Sequence, residues 1–174
     1  MANPDLSLVD DIVAARVVAA MRTTSRLLTD LGVRHVVVGG IAVGANGYPR
    51  ATKDVDFLVS EDAFLTKAGG VVLLAPGIPF QVDGVAIDYL AANADESHLG
   101  AVLEGSFGAA IDAPRLIYMK LKANRLRDQL DVVELVKAGV DREQCRSYLV
   151  AHAQPLLELF DKYVRQAATE QMDE

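Results

Sequence analysis

Two aspartates, Asp54 and Asp56, stand two residues apart in a run that also holds Val55, Phe57, Leu58 and Val59. In an extended strand, residues i and i+2 project to the same face, so this spacing sets the two carboxylates side by side. Like charges at that separation repel, and neither is easily desolvated beside such apolar neighbours. A bound divalent cation compensates a pair of this kind. At a strand end, water does so equally well, so an Asp-x-Asp gains chemical meaning only from what accompanies it. Here the pair follows Gly39-Gly40 after 13 residues. Two glycines at a strand-to-helix junction leave the backbone N–H groups open to a phosphate. A third carboxylate, Asp88, interrupts the apolar run Val85-Ala86-Ile87-Asp88-Tyr89-Leu90, where burying a charge would need a reason. Three carboxylates on neighbouring strands would form a two-metal site, which stabilises the attacking and leaving oxygens of phosphoryl transfer.

The elements that must position these groups follow from hydrophobic periodicity. Apolar residues from Leu6 to Leu31 recur at helical spacing, with Ser7 as N-cap and Gly32 as the stop. The β-branched run Val33 to Val38 reads as a buried strand ending at Gly39-Gly40, and a short helix follows over Ile41 to Ala45. Val55 to Val59 is the next strand. Ser60, Glu61 and Asp62 open a short helix through Lys67. Strands are expected at Val71–Leu74, Phe80–Val82 and Val85–Leu90, the last two joined at Asp83-Gly84, where glycine tolerates the positive φ of a hairpin turn. Pro114 to Ala138 reads as one helix with the stripe Leu116, Met119, Ala123, Leu126, Leu130, Val133 and Val136. Asp141 caps another helix to His152, and Pro155 begins the last. The fold class is α+β, or mixed α/β, with helices packed on a small sheet. Residues 1–113 form the core with its N-terminal helix, and residues 114–174 form a helical segment of the same single domain.

The chain has 174 residues, enough for one core, and its 51% hydrophobic and 24% charged residues exclude a disordered composition. A formal net charge of −7 argues against a protein that coats nucleic acid by long-range attraction, while allowing local basic patches. The single cysteine, Cys145, excludes an internal disulfide framework and fits a reducing compartment. With no targeting segment and no apolar run long enough to span a bilayer, a cytoplasmic protein without membrane contact is expected.

The stretch from Gly39-Gly40-Ile41-Ala42 through Gly47-Tyr48-Pro49-Arg50-Ala51-Thr52-Lys53-Asp54-Val55-Asp56 closely resembles the nucleotidyltransferase motif of the DNA polymerase β-like superfamily. The resemblance covers roughly Val36 to Leu90 and implies a nucleotidyltransferase fold. It implies that Gly39 and Gly40 bind nucleotide phosphate, and that Asp54, Asp56 and Asp88 are catalytic and bind two Mg2+ ions. A second block, Lys120-Leu121-Lys122-Ala123-Asn124-Arg125 with Asp128-Gln129-Leu130-Asp131, resembles the Lys-x4-Arg and Asp-x-x-Asp helix of minimal nucleotidyltransferases related to abortive-infection and toxin–antitoxin toxins. Lys120 is the stronger phosphate contact. On one continuous helix Arg125 lies about 140° away from it. Arg50 and Lys53 either contact triphosphate or balance the acidic pair, and Arg127 is placed to pair with Asp131 four residues on.

The implied activity is Mg2+-dependent transfer of a nucleoside monophosphate from an NTP such as ATP to an acceptor hydroxyl or an RNA 3′ end. Three classes compete. One is a toxin modifying tRNA or protein and paired with a cognate antitoxin; another is an antibiotic-type enzyme acting on a small alcohol. The third is a non-catalytic nucleotide-binding relative working through a protein partner. An RNA acceptor calls for a basic groove near Lys120, Lys122, Arg125 and Arg127. A Gly-Gly pair where many members have Gly-Ser, a longer gap before Asp54 and no large additional domain are departures that bear on the acceptor. His35, His98 and His152 have no metal-ligand spacing and read as structural or surface residues, Cys145 as an inert, half-buried thiol, and Leu116, Tyr118 and Met119 as core.

Overall fold

The computed structural model describes residues 3–173. After a 3-10 turn at Leu6–Val9 come α1 (Ala15–Asp30), β1 (His35–Val38), α2 (Gly39–Ala45) and β2 (Val55–Val59). β3 (Phe64–Thr66), β4 (Val72–Leu74), β5 (Gln81–Val82) and β6 (Val85–Ala91) follow. The chain continues through α3 (Ser97–Gly100) and β7 (Phe107–Ala110) to four further helices, α4 (Ala113–Ala123), α5 (Leu126–Lys137), α6 (Arg142–His152) and α7 (Leu157–Asp173). The fold is α+β. Its main sheet has the order β5-β6-β2-β1-β7, and β3 and β4 pair in a separate two-stranded sheet.

Within the main sheet β1 runs antiparallel to β2 and parallel to β7, and β2 runs parallel to β6. Strand alternation sorts its side chains into two layers. Val37, Val55, Phe57, Val59, Val85 and Ile87 face a core shared with Val17, Met21 and Leu28 of α1. Val36, Val38 and Leu58 face the opposite core, packed with Leu116, Leu121, Val133, Leu135, Leu149 and Phe160 of the C-terminal helices. Burial of each such side chain contributes about 1.5–3 kcal/mol. Asp54 and Asp56 share the parity of Leu58, so they project to the helical side, at the start of β2.

Four expectations change. The N-terminal helix begins at Ala15, and the preceding turn is capped by Asp5, whose carboxylate accepts from the Ser7 N–H. The helix expected through Lys67 stops at Ala63, because Phe64–Thr66 finds a strand partner in Val72–Leu74. The helix expected over Pro114 to Ala138 is two helices, broken where Asn124 takes a left-handed conformation with φ 47° and Arg125 becomes the N-cap of α5. That break changes the rotational phase, so Leu126 and Leu130 are exposed while Asp128, Asp131, Val132 and Leu135 are buried. Finally, Cys145 is fully buried in the helical core, and burial first of all pushes its thiol up to about 12. The Asp83-Gly84 hairpin forms as expected, with both residues at positive φ between β5 and β6. Among the described residues, no helix is long and apolar enough to cross a membrane.

Candidate active-site cleft

A cleft of about 650 Å³ opens between the C-terminal end of β1, the start of β2, β6 and the α4–α5 junction. That volume lies within the range of small-molecule sites. Gly39, Gly40, Arg50, Lys53, Asp54, Asp56, Asp88, Lys120 and Arg125 all line it. Every site residue expected from the sequence is therefore brought to one cavity.

The register of the sheet explains the acidic side. Asp56 is the direct partner of Asp88 across the parallel β2–β6 pair, and of Val38 across the antiparallel β1–β2 pair. Asp54 precedes β2 on the same face and accepts a 2.9 Å hydrogen bond from the Thr52 hydroxyl. Asp88 does not bear the cost of burial expected within an otherwise apolar strand: Val85 and Ile87 are buried, while Ala86, Asp88 and Leu90 alternate with them on the exposed face, and Asp88 and Leu90 line the cleft. Asp56 lies deepest. Burial, followed by the neighbouring charges of Asp54 and Asp88, raises its carboxyl to about 6 against the pull of Lys120 and Arg125.

Gly39 makes this packing possible. It sits at φ +64°, and a Cβ there would lie 1.9 Å from the Asp56 Oδ2. A Cβ on Gly40 would stand 2.8 Å from the Thr52 hydroxyl and 3.3 Å from the Arg50 guanidinium. Neither position tolerates a side chain without displacing a residue of the cleft.

The basic side is built from a chain of ion pairs on two buried aspartates. Asp131, 1% exposed at its side chain, receives both Arg50 Nε at 2.6 Å and Arg50 Nη2 at 2.7 Å. Its second oxygen also takes Lys120 Nζ at 2.8 Å. Lys120 reaches Asp128 at 3.0 Å, and Asp128 accepts from Arg125 Nε at 2.7 Å and from the Arg125 backbone N–H. Burial disfavours the charged Asp128, but hydrogen bonds from Arg125 and Lys120 outweigh it and hold its carboxyl below the ordinary value. Because the helix is interrupted at Asn124, Lys120 and Arg125 converge on the same cleft rather than diverging by the angle of a single helix.

One pairing open to the second block does not form. Arg127 does not pair with Asp131; it donates to the Ala51 carbonyl at 3.2 Å. The four cations proposed as a basic groove are also engaged within the chain, since Lys122 bonds Glu96 at 2.8 Å and Lys120 and Arg125 hold α5 aspartates. Lys53 is exposed at the rim and forms no ion pair among the described residues. Met119, read as core, packs against the helical core and also lines the cleft with Leu116, Ala123 and Leu90. Asp128 and Asp131 had a visible signal, two carboxylates at i and i+3 in phase with Leu135, which an unbroken helical stripe obscures.

The three histidines take structural places. His35 is buried between Ser25 and the Val33 carbonyl, while His98 and His152 stack on each other beside Tyr148. Among the described residues, no three His, Cys, Asp or Glu side chains form a ready-made metal site. The donor set itself consists of carboxylate oxygens, the hard ligands that suit Mg2+. No protein-family model matches the chain, and no curated protein matches it.

Proposed function

We propose that the protein is a minimal, Mg2+-dependent nucleotidyltransferase that moves a nucleoside monophosphate from an NTP to an acceptor hydroxyl. The carrying observation is the meeting, in one cleft, of three carboxylates that form no salt bridge among the described residues, two glycines that admit no side chain, and an arc of three cations. The resemblance of the Gly39-to-Asp56 segment to the polymerase β-like motif supports the same reading.

Asp54, Asp56 and Asp88 are the residues that would hold Mg2+. When bound, the metal neutralises phosphate oxygens and lowers the barrier to displacement at phosphorus. Gly39 and Gly40 leave room for the phosphates to approach the backbone. Arg50, Lys120 and Arg125 face the same space and offset the negative charge that gathers on the pyrophosphate leaving group. Asp88, the most accessible of the three carboxylates, accepts the proton of the acceptor hydroxyl. The acceptor oxygen then bonds to the α-phosphorus, the bond from that phosphorus to the bridging oxygen breaks, and pyrophosphate departs.

Incubation with each α-labelled NTP, Mg2+ and either total RNA or lysate tests the reaction. Label is expected on an acceptor with the wild type, and at least about 10²-fold less with Asp54→Asn/Asp56→Asn, in line with the loss of preorganised charge stabilisation. An unchanged rate in that variant overturns the proposal. Whether label sits on RNA, protein or a small molecule identifies the acceptor class, including the tRNA or protein targets that a toxin would have.

A further inference from the structure

The cleft has a second half that the phosphate chemistry does not use. Leu116, Met119 and Ala123 recur at i, i+3 and i+7 on one face of α4, with Lys120 beside them, and Leu90 faces the cleft from β6. Leu90 lies two residues beyond Asp88 and is 43% exposed. An apolar wall thus begins where the acidic trio ends, within one continuous cavity. A triphosphate set against the glycines and cations would direct its nucleoside toward this wall.

The chemistry of the wall is as informative as its place. Among the described residues lining the cleft there is no aromatic ring and no Asn or Gln. Its one side-chain hydroxyl, that of Thr52, already donates to Asp54. Of the charged lining side chains outside the acidic trio, Arg50, Lys120 and Arg125 hold aspartates, Arg127 donates to the Ala51 carbonyl and Lys53 stands at the exposed rim. Contact with Leu90, Met119 and Ala123 is available to any base, and the thioether of Met119 adapts to rings of different outline. Sites that hydrogen-bond a substrate edge reject analogues by about 10⁴ or more, whereas apolar pockets separate ligands by only about 10–200-fold.

We infer that Leu90, Met119 and Ala123 form the nucleobase wall of the cleft and take purine and pyrimidine triphosphates alike. This rests on the nucleotidyltransferase reading. It adds what the fold of that site alone does not specify, the breadth of the nucleotide substrate. Larger bases gain somewhat more apolar contact, so purines bind modestly better than pyrimidines.

Calorimetric titration with ATP, GTP, CTP, UTP and inorganic tripolyphosphate, each with Mg2+, tests it. The four NTPs are expected within about tenfold of one another, and each tighter than tripolyphosphate. Met119→Ala should weaken all four by a similar factor, about three- to tenfold, and leave tripolyphosphate unchanged. Leu90→Ala repeats the test at an exposed position, where truncation leaves the core intact. Leu90→Gln adds a donor and an acceptor to the wall and should introduce discrimination among the bases. Preference for one base by more than about 10³-fold overturns the inference, as do NTPs that bind no tighter than tripolyphosphate. In both cases tripolyphosphate binding leaves the phosphate site standing. Failure of every probe to bind overturns the proposed function together with this inference.

Discussion

Two groups of aspartates, one lining the cleft and one supporting its basic side, are treated in opposite ways by the chain. Asp128 and Asp131 on α5 are buried and fully paired, with Lys120 shared between them, Arg50 on one and Arg125 on the other. Asp54, Asp56 and Asp88 converge from two strands with no salt bridge among the described residues, and Asp56 is driven up to about 6 by burial and by its own neighbours. Identical side chains thus serve as internal counter-ions in one place and as an unmet demand for positive charge in the other. A carboxylate satisfied by its own chain positions other groups. One left in conflict is available to something that binds.

The sharpest way to break this contrast is to remove a paired carboxylate. Asp131→Ala strands the Arg50 guanidinium in a largely buried setting, leaves Lys120 with Asp128 alone, and should destabilise the fold by about 3–5 kcal/mol, measured by urea unfolding. A loss below about 1 kcal/mol would mean that the pairing is incidental.

Removing a conflicted carboxylate should do the reverse. Because the Asp56 carboxyl is raised from 3.8 to about 6, its protonated form is favoured in the native state. The stability it contributes is present below pH about 4 and is lost as pH rises through about 6. Asp56→Asn should therefore stabilise the metal-free protein by about 1–3 kcal/mol at pH 7, and the gain should vanish near pH 4. Thermal melts at the two pH values check the sign.

Divalent metal should cancel much of that difference. At ten times its dissociation constant, Mg2+ should stabilise the wild type by about 1.4 kcal/mol, with little effect on Asp56→Asn. Equal shifts in both proteins would detach the metal from the trio. The smallest effect is expected from Arg125→Ala. The side chain is 78% exposed, so its pair with Asp128 should contribute at most about 1 kcal/mol to stability, while nucleotide affinity falls.

Much of the acidic half was legible because it depends on local alternation. Asp54-Val55-Asp56 fixes two side chains on one face of a strand, β2 forms over the expected Val55–Val59, and the Asp83-Gly84 turn sets the start of β6. The pairing of Asp56 with Asp88 is a register between parallel strands, which no periodicity encodes. The basic half was legible in composition and not in geometry. A single left-handed residue, Asn124, divides one apparent helix and turns Arg125 toward Lys120, while bringing two aspartates into the core in place of two leucines. β7 was silent for a different reason. Phe107-Gly108-Ala109-Ala110 has little strand propensity, and it is held as a parallel partner of β1 by contacts from far along the chain.

The link from Arg50 to Asp131 joins residues 81 positions apart. A nascent chain ending after β6 would carry all three cleft carboxylates but none of α4 or α5, and so would lack Lys120, Arg125 and the anchor for Arg50. The cleft is consequently a late product of chain assembly, complete only when the last third has docked. Ligand binding there reports that the whole molecule has folded, and truncation from the C-terminal side should abolish it before the sheet itself is lost.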